Sequence, residues 1–245
     1  MSLEWISADW PAPDGIVAGC TTRLGGVSEG EFAALNLGAH VGDSPANVVE
    51  NRRRFVSDCG LPSEPLWLDQ VHGNEVALDL NSELPPTADA MFTREPGRVC
   101  AVMTADCLPV LFVSASGDEI AAAHAGWKGL CCGVLENTVC QFRARPTDIL
   151  VWFGPAISQR NFEVGDDVRQ AFVDHDDQAS GLFVPNDNGR WQADLYGLAR
   201  QRLDRAGVRQ IHGGDACTYE DSRHFFSYRR DGQCGRMASF VYRYS

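Results

Sequence analysis

Three residues able to bind a soft or borderline metal stand at turns of this chain. They are His72 in Leu68-Asp-Gln-Val-His-Gly, Cys107 in Thr104-Ala-Asp-Cys-Leu-Pro and His124 in Ala121-Ala-Ala-His-Ala-Gly-Trp-Lys. One Cys and two His are the donors of an open zinc site, which keeps its fourth position for water or substrate. With a methionine nearby, here Met103, the same donors also form a blue-copper set. A thiol beside an imidazole is, alternatively, a hydrolase nucleophile with its base. Spacing does not choose among these readings: the separations are too long for a local finger signature, and a lone Cys or His is often a packed residue.

A second chemical signal follows His124. If Lys128, the sole lysine, opens a helix, the unpaired N–H groups around Gly126–Leu130 and the positive end of the helix dipole make an anion site. The alternative is a lysine on a solvated first turn. The distinction matters because the chain carries a net charge of −12, so only a local positive feature can gather an anion. The same charge argues against partners made of nucleic acid or anionic membrane.

Other motifs fall away. No G-x-G-x-x-G or G-x-x-x-x-G-K-[ST] phosphate cradle is present. Gly26-Val-Ser-Glu-Gly30 spells G-x-S-x-G, but Gly25-Gly26 stands where the elbow needs a strand; it reads as a turn. The nucleobase-deaminase pairing of H-x-E with P-C-x-x-C is absent.

The elements that must position these residues can be sketched. Ser44 as N-cap, Pro45 at the first helical position and Gly60 beyond the end frame a helix with Val48, Phe55, Val56 and Cys59 on its apolar face. Further helices are expected over Lys128–Phe142, Asp166–His175 and Asp194–Ala206. Strands are expected at Gly15–Cys20, Val99–Met103, Pro109–Ser114, Glu119–His124, Ile149–Phe153 and Ala238–Tyr242. Asn81-Ser-Glu-Leu-Pro-Pro and Pro185-Asn-Asp-Asn-Gly read as loops. Helices and strands mix without strict alternation, which favours α+β. A length of 245 residues without repeats or linkers fits one domain.

The N-terminal residues carry acids where a secretory signal needs a basic start, and no apolar run approaches a membrane span. A cytoplasmic protein is expected. Nine cysteines, an odd number without dense spacing, read as free thiols. Cys20, Cys59, Cys100, Cys131, Cys132 and Cys140 are expected as small core residues.

The ordered motifs Thr21-Thr-Arg-Leu-Gly-Gly-Val-Ser, Leu35-Asn-Leu-Gly, Asp69-Gln-Val-His-Gly, Ala88-Asp-Ala, Thr104-Ala-Asp-Cys-Leu-Pro, Ala123-His-Ala-Gly-Trp-Lys-Gly, Gly154-Pro-Ala-Ile and Ser227-Tyr-Arg-Arg-Asp run from about Ile16 to Tyr244. Together they strongly resemble the laccase-domain purine nucleoside phosphorylase family, whose members are also called polyphenol oxidases or peptidoglycan editing factors. The resemblance implies a single-domain, multilayer α+β sandwich with mixed sheets spanning residues 1–245. It also implies zinc, with copper as the alternative, on His72, Cys107 and His124. The implied activity is phosphorolysis of adenosine, inosine and methylthioadenosine, with adenosine deamination beside it. Arg160-Asn-Phe162 departs from the cysteines and tyrosine often found there, which affects the pocket lining and not the metal donors.

Phosphorolysis needs phosphate held by cations and an acid for the departing purine. Arg23, Lys128 and Arg229 are the candidate cations. Asn36, Gln70 and Tyr228 join them as substrate contacts, and Asp106 could shuttle a proton or orient a ligand. Asp89 and Gln70 are candidate supports for the metal donors. Three rival classes remain. A copper oxidase is weakened by six histidines without a His-x-His pair, and a cysteine-type hydrolase or amidase would use Cys107 with His124. A binding module has little use for an open metal site. The expected ligands are small molecules, bound by a monomer.

Overall fold

The computed structural model describes residues 3–78 and 84–244. Asn81, Ser82 and Glu83 of the expected 81–86 loop therefore lie outside the described residues. In chain order the strands are β1 (Trp5–Ser7), β2 (Ile16–Thr21), β3 (Val76–Ala77), β4 (Ala90–Thr93), β5 (Val99–Thr104), β6 (Leu108–Ser114), β7 (Ile120–Ala125), β8 (Ile149–Phe153), β9 (Glu163–Val164), β10 (Phe183–Pro185), β11 (Trp191–Ala193), β12 (Gln210–Gly213) and β13 (Met237–Arg243). The helices are α1 (Pro45–Asp58), α2 (Trp127–Cys131), α3 (Val134–Val139), α4 (Asp166–His175), α5 (Leu195–Arg205) and α6 (Tyr228–Asp231).

Two sheets form the middle of a multilayer α+β sandwich. One is antiparallel with order β1-β2-β13-β5; the other is mixed with order β12-β8-β6-β7-β4-β3, parallel only at its two edges. Their strands read as continuous apolar runs because both faces are buried. Along β6, Leu108, Val110 and Phe112 face Leu130, Val134 and Leu198 of the helical layer, while Leu111 and Val113 face Val102 and Val241 of the antiparallel sheet. Along β13, Phe240 and Tyr242 point the other way and meet Phe55 of α1. Phe55 and Phe240 touch edge to face at 5.2 Å. Each such fully buried side chain contributes about 1.5–3 kcal/mol of transfer free energy.

The helix framed by Pro45 forms as expected, but the Ser44 side chain makes no capping bond. Buried Asn51 on α1 instead receives Val27 N–H and donates to the carbonyls of Ala34 and Asn36, pinning the preceding loop. Ser28 of the G-x-S-x-G stretch is buried there and donates to Asp43 at 2.6 Å; residues 26–29 are irregular, with no strand directly before them, so no nucleophile elbow forms. The expected helix from Lys128 to Phe142 is two short ones. Gly133, at φ +92°, breaks it and becomes the N-cap of α3, a conformation that glycine alone adopts cheaply.

All nine cysteines are free thiols, but Cys132 and Cys140 are exposed and not core residues. The break at Gly133 turns this segment away from a single buried stripe. No helix among the described residues is long and apolar enough to cross a membrane.

Candidate active site

The chain passes from one sheet to the other over Ala105-Asp106-Cys107, between the end of β5 and the start of β6. That crossing turns sharply enough to hold Asp106 at φ +95°, a conformation uncommon outside glycine and kept only where surrounding bonds dictate it. Those bonds are present. Asp106 Oδ1 accepts the Thr218 hydroxyl at 2.6 Å, Oδ2 accepts the Arg229 amide at 2.7 Å, and the Asp106 carbonyl accepts Ile157 N–H at 2.9 Å. Cys107 is thereby fixed beside β7, where the pairing of Pro109 with His124 brings the histidine alongside.

His72 arrives from a loop and is also held at positive φ, +61°. Asp89, fully buried just before β4, is the reason. Its carboxylate accepts the N–H groups of Val71, His72 and Gly73 at 3.2, 2.9 and 2.6 Å, and also faces His124 Nδ1 at 2.7 Å. With Nδ1–H donated to Asp89, Nε2 of His124 is left for another partner. Burial opposes ionisation of Asp89, but the bonds to His124, Gly73 and His72 outweigh it and hold the carboxyl below its ordinary range.

The donor atoms of His72, Cys107 and His124 lie within 4.8 Å of one another, and Cys107 Sγ is 3.7 Å from His72 Nε2. Tetrahedral zinc, with Zn–S about 2.3 Å and Zn–N about 2.0–2.1 Å, spaces such donors roughly 3.4–3.6 Å apart. The triad fits a metal ion with small side-chain adjustments. The two imidazole rings meet edge to face at 4.7 Å, and Gly126 makes room for them: a Cβ there would come within 2.7 Å of His72 Cδ2 and 3.0 Å of Cys107 Sγ.

Electrostatics favour the thiolate donor at Cys107 and, without metal, the protonated form of His124, whose proton metal binding would displace. Burial would raise the Cys107 thiol, yet the charge on His124 and hydrogen bonds with His124 and His72 bring it down to about 6. Burial would lower His124, yet the Cys107 thiolate and Asp89 raise it to about 9. Without metal these opposite shifts favour a thiolate beside an imidazolium.

The triad opens into a cavity of about 440 Å³. Asp106, Gln70, Tyr228 and Arg229, all expected from the sequence, line it. Gln70 clamps β5 through two 2.8 Å bonds with the main chain of Met103, and Met103 itself reaches the cavity. Three expected residues lie outside the lining. Arg23 donates to the carbonyls of Ala33 and Ser222 and stacks over Phe226 at 4.5 Å. Asn36 is fully buried and bonded to Gly38, Asp43 and Arg236, so it joins loops. Lys128 is exposed beside the Trp127 ring, on a helix of one turn and a little more. His40, Phe162 and Arg236 complete much of the wall. The sequence singled out Phe162 only as a departure and gave no signal for His40 or Arg236, which loops from distant parts of the chain deliver.

The family described as "Multi-copper polyphenol oxidoreductase laccase" matches residues 17–244. The chain belongs to this family. It is 55% identical over 239 residues to the Escherichia coli K12 protein named "Purine nucleoside phosphorylase YfiH", covering 97% of this chain and 98% of that one. It is 48% identical over 242 residues to the Haemophilus influenzae Rd "Purine nucleoside phosphorylase", covering 98% and 99%. The crystal structure of a Neisseria meningitidis protein superposes with a TM-score of 0.94 at 45% identity, covering 98% of this chain and 99% of that chain.

Proposed function

We propose that this family member is a metal-dependent purine nucleoside phosphorylase that cleaves adenosine, inosine and methylthioadenosine, with adenosine deamination as a second activity and zinc as the metal. The observation that carries the reading is the convergence of His72, Cys107 and His124 on one wall of a cavity that also holds aromatic and cationic groups. The names of its relatives point to the same reaction. In that reaction a phosphate oxygen bonds to C1′ of the ribose as the C1′–N9 bond breaks. The electron pair leaves with the purine, which takes a proton, and ribose 1-phosphate remains.

A zinc ion held by the triad would supply Lewis acidity and water with a pKa near ~7, the nucleophile that deamination needs. The chain's own residues do the rest. Asp89 fixes the ring of His124 and the loop of His72, and Gln70 and Asp106 hold the strand and turn that carry the neighbouring wall. Phe162 and Tyr228 offer ring faces to the purine. Because both Asp106 oxygens already accept bonds from the fold, Asp106 is read as a positioning group for Cys107, not as a proton shuttle.

One observation favours a second reading. The thiolate–imidazolium pair of Cys107 and His124, with Asp89 behind it, is also the arrangement of a cysteine hydrolase. Met103 in the lining likewise keeps copper as the alternative metal. Metal analysis of purified protein, combined with adenosine cleavage assayed with and without phosphate, separates these. Zinc and phosphate-dependent release of ribose 1-phosphate support the proposal. Phosphate-independent turnover through a covalent Cys107 adduct supports the hydrolase.

A further inference from the structure

In a chain with 33 acidic and 21 basic residues, an arginine that neutralises no carboxylate while facing a cavity is informative. Arg94, Arg202 and Arg205 pair with Glu119, Glu136 and Asp176. Arg229 and Arg236 belong to a group of arginines, Arg23, Arg52 and Arg169 among them, that have no carboxylate oxygen within 4.0 Å among the described residues, and they differ from the others in their place. Both line the cavity that contains the metal triad.

Each is anchored by one nitrogen and unengaged at the others. Arg236 Nη1 donates to the carbonyls of Cys234 and Gly235 at 2.9 and 3.1 Å. Its stem packs on Gly38, where a Cβ would lie 2.9 Å from Arg236 Cγ, and its N–H is bonded to buried Asn36. Arg229 Nη1 donates to the Glu163 carbonyl at 2.9 Å, and its guanidinium lies 5.5 Å over the Phe162 ring. The Glu163 carboxylate, which feels the charge of Arg229, is held by hydrogen bonds from Asn186 and Asn188. Neither Nε nor Nη2 of Arg229 or Arg236 has a hydrogen-bond partner among the described residues. A guanidinium fixed in plane with free N–H groups is pre-organised for a bidentate oxyanion.

We propose that Arg229 and Arg236 form the seat of the inorganic phosphate, an assignment that rests on the phosphorylase reading for its place in catalysis. Of the cations expected from the sequence it keeps Arg229, adds Arg236, and leaves out Lys128 and Arg23. Asn36, buried and outside the cavity, acts on this seat as a positioning residue through the Arg236 backbone.

The test uses zinc-loaded protein and inorganic phosphate in two measurements. In steady-state cleavage at saturating adenosine, Arg229→Gln and Arg236→Gln should each raise the phosphate KM at least about tenfold, the loss of one charge-assisted hydrogen bond, with the adenosine KM moving less than about twofold. Zinc content should not change, Lys128→Gln should behave as wild type, and Arg236→Lys should recover part of the loss. Calorimetric titration of phosphate without nucleoside should show wild-type binding that both glutamine variants weaken. If Arg236→Gln folds poorly, the exposed Arg229→Gln still decides. Unchanged phosphate KM and binding in both variants, equal changes in both KM values, or no phosphate binding by the wild type would overturn the seat. Phosphate binding that depends on the two arginines in a protein that cleaves no nucleoside would uphold the seat and sink the phosphorylase reading.

Discussion

The carboxylate of Asp89 and Nδ1 of His124 are 2.7 Å apart, both side chains buried, and the same carboxylate caps the loop that carries His72. One acid therefore sets two of the three metal donors. Asp89→Asn keeps the shape but cannot accept all of these bonds. It should weaken zinc binding by about 10–100-fold, the usual effect of losing a ligand's hydrogen-bonded support. Asp89→Ala should in addition lower stability by about 1–3 kcal/mol or more, because three backbone N–H groups and His124 Nδ1–H lose their acceptor. Competitive zinc titration with a chelator and urea unfolding measure the two effects. Unchanged zinc affinity in both variants would remove Asp89 from the account.

Gly126 gives a second handle on the site. Its missing Cβ leaves the space that His72 and Cys107 occupy, so Gly126→Ala must push one of them aside. The clash is with side-chain atoms and not with backbone, so the fold should survive while zinc affinity falls. Gly129→Ala, three residues on, is different: its Cβ would meet the Gly73 carbonyl at 2.5 Å. Overpacking of that kind costs about 1–3 kcal/mol. A lower melting temperature for Gly129→Ala, and reduced zinc affinity with little change in melting temperature for Gly126→Ala, are the expected pair of results.

Thiol chemistry separates the cysteines by environment. Burial pushes Cys20 and Cys59 up to about 12, so neither should react with iodoacetamide in native protein at pH 8, whereas exposed Cys132 and Cys140 should. The sign of the linked stability follows. A folded-state thiol pKa above the unfolded value near 9 protects at lower pH, and that contribution fades as pH rises from about 9 toward 12. Cys107 should be silent with zinc bound and should label at pH 7 once the metal is chelated. Equal labelling of Cys107 with and without metal, read by mass spectrometry, would show that it is not a ligand.

Cys107→Ser removes the soft donor while keeping the size of the side chain. Zinc content and nucleoside cleavage should be lost together, since ligand removal and metal loss are one event. A variant that loses activity at full zinc occupancy would favour the nucleophile reading.

Much of this was legible in the sequence, for reasons the structure makes plain. The long central strands such as β6 and β13 have enough apolar residues in a row to declare themselves, and Pro45 with Gly60 marks α1 at both ends. The two-to-four-residue strands β3, β9, β10, β11 and β12 are too short to show a period. Gly133 splits a helix whose apolar spacing looks continuous. At the site, the donors His72, Cys107 and His124 stand in recognisable motifs, but their convergence depends on β6–β7 register and on Asp89. Arg236 and His40 reach the cavity through tertiary packing alone. Lys128 lies outside the cavity lining: a helix N-terminus can be read from sequence, while the direction it faces cannot.

The most direct test of the central claim is the phosphate dependence of adenosine cleavage by purified protein before and after metal removal. Zinc-loaded protein should release purine base, adenine and hypoxanthine taken together, and ribose 1-phosphate in equal amounts only when phosphate is present, stop when the metal is stripped, and recover when zinc is restored. Cleavage that proceeds without phosphate, or that the stripped protein carries out at the same rate, would contradict the account.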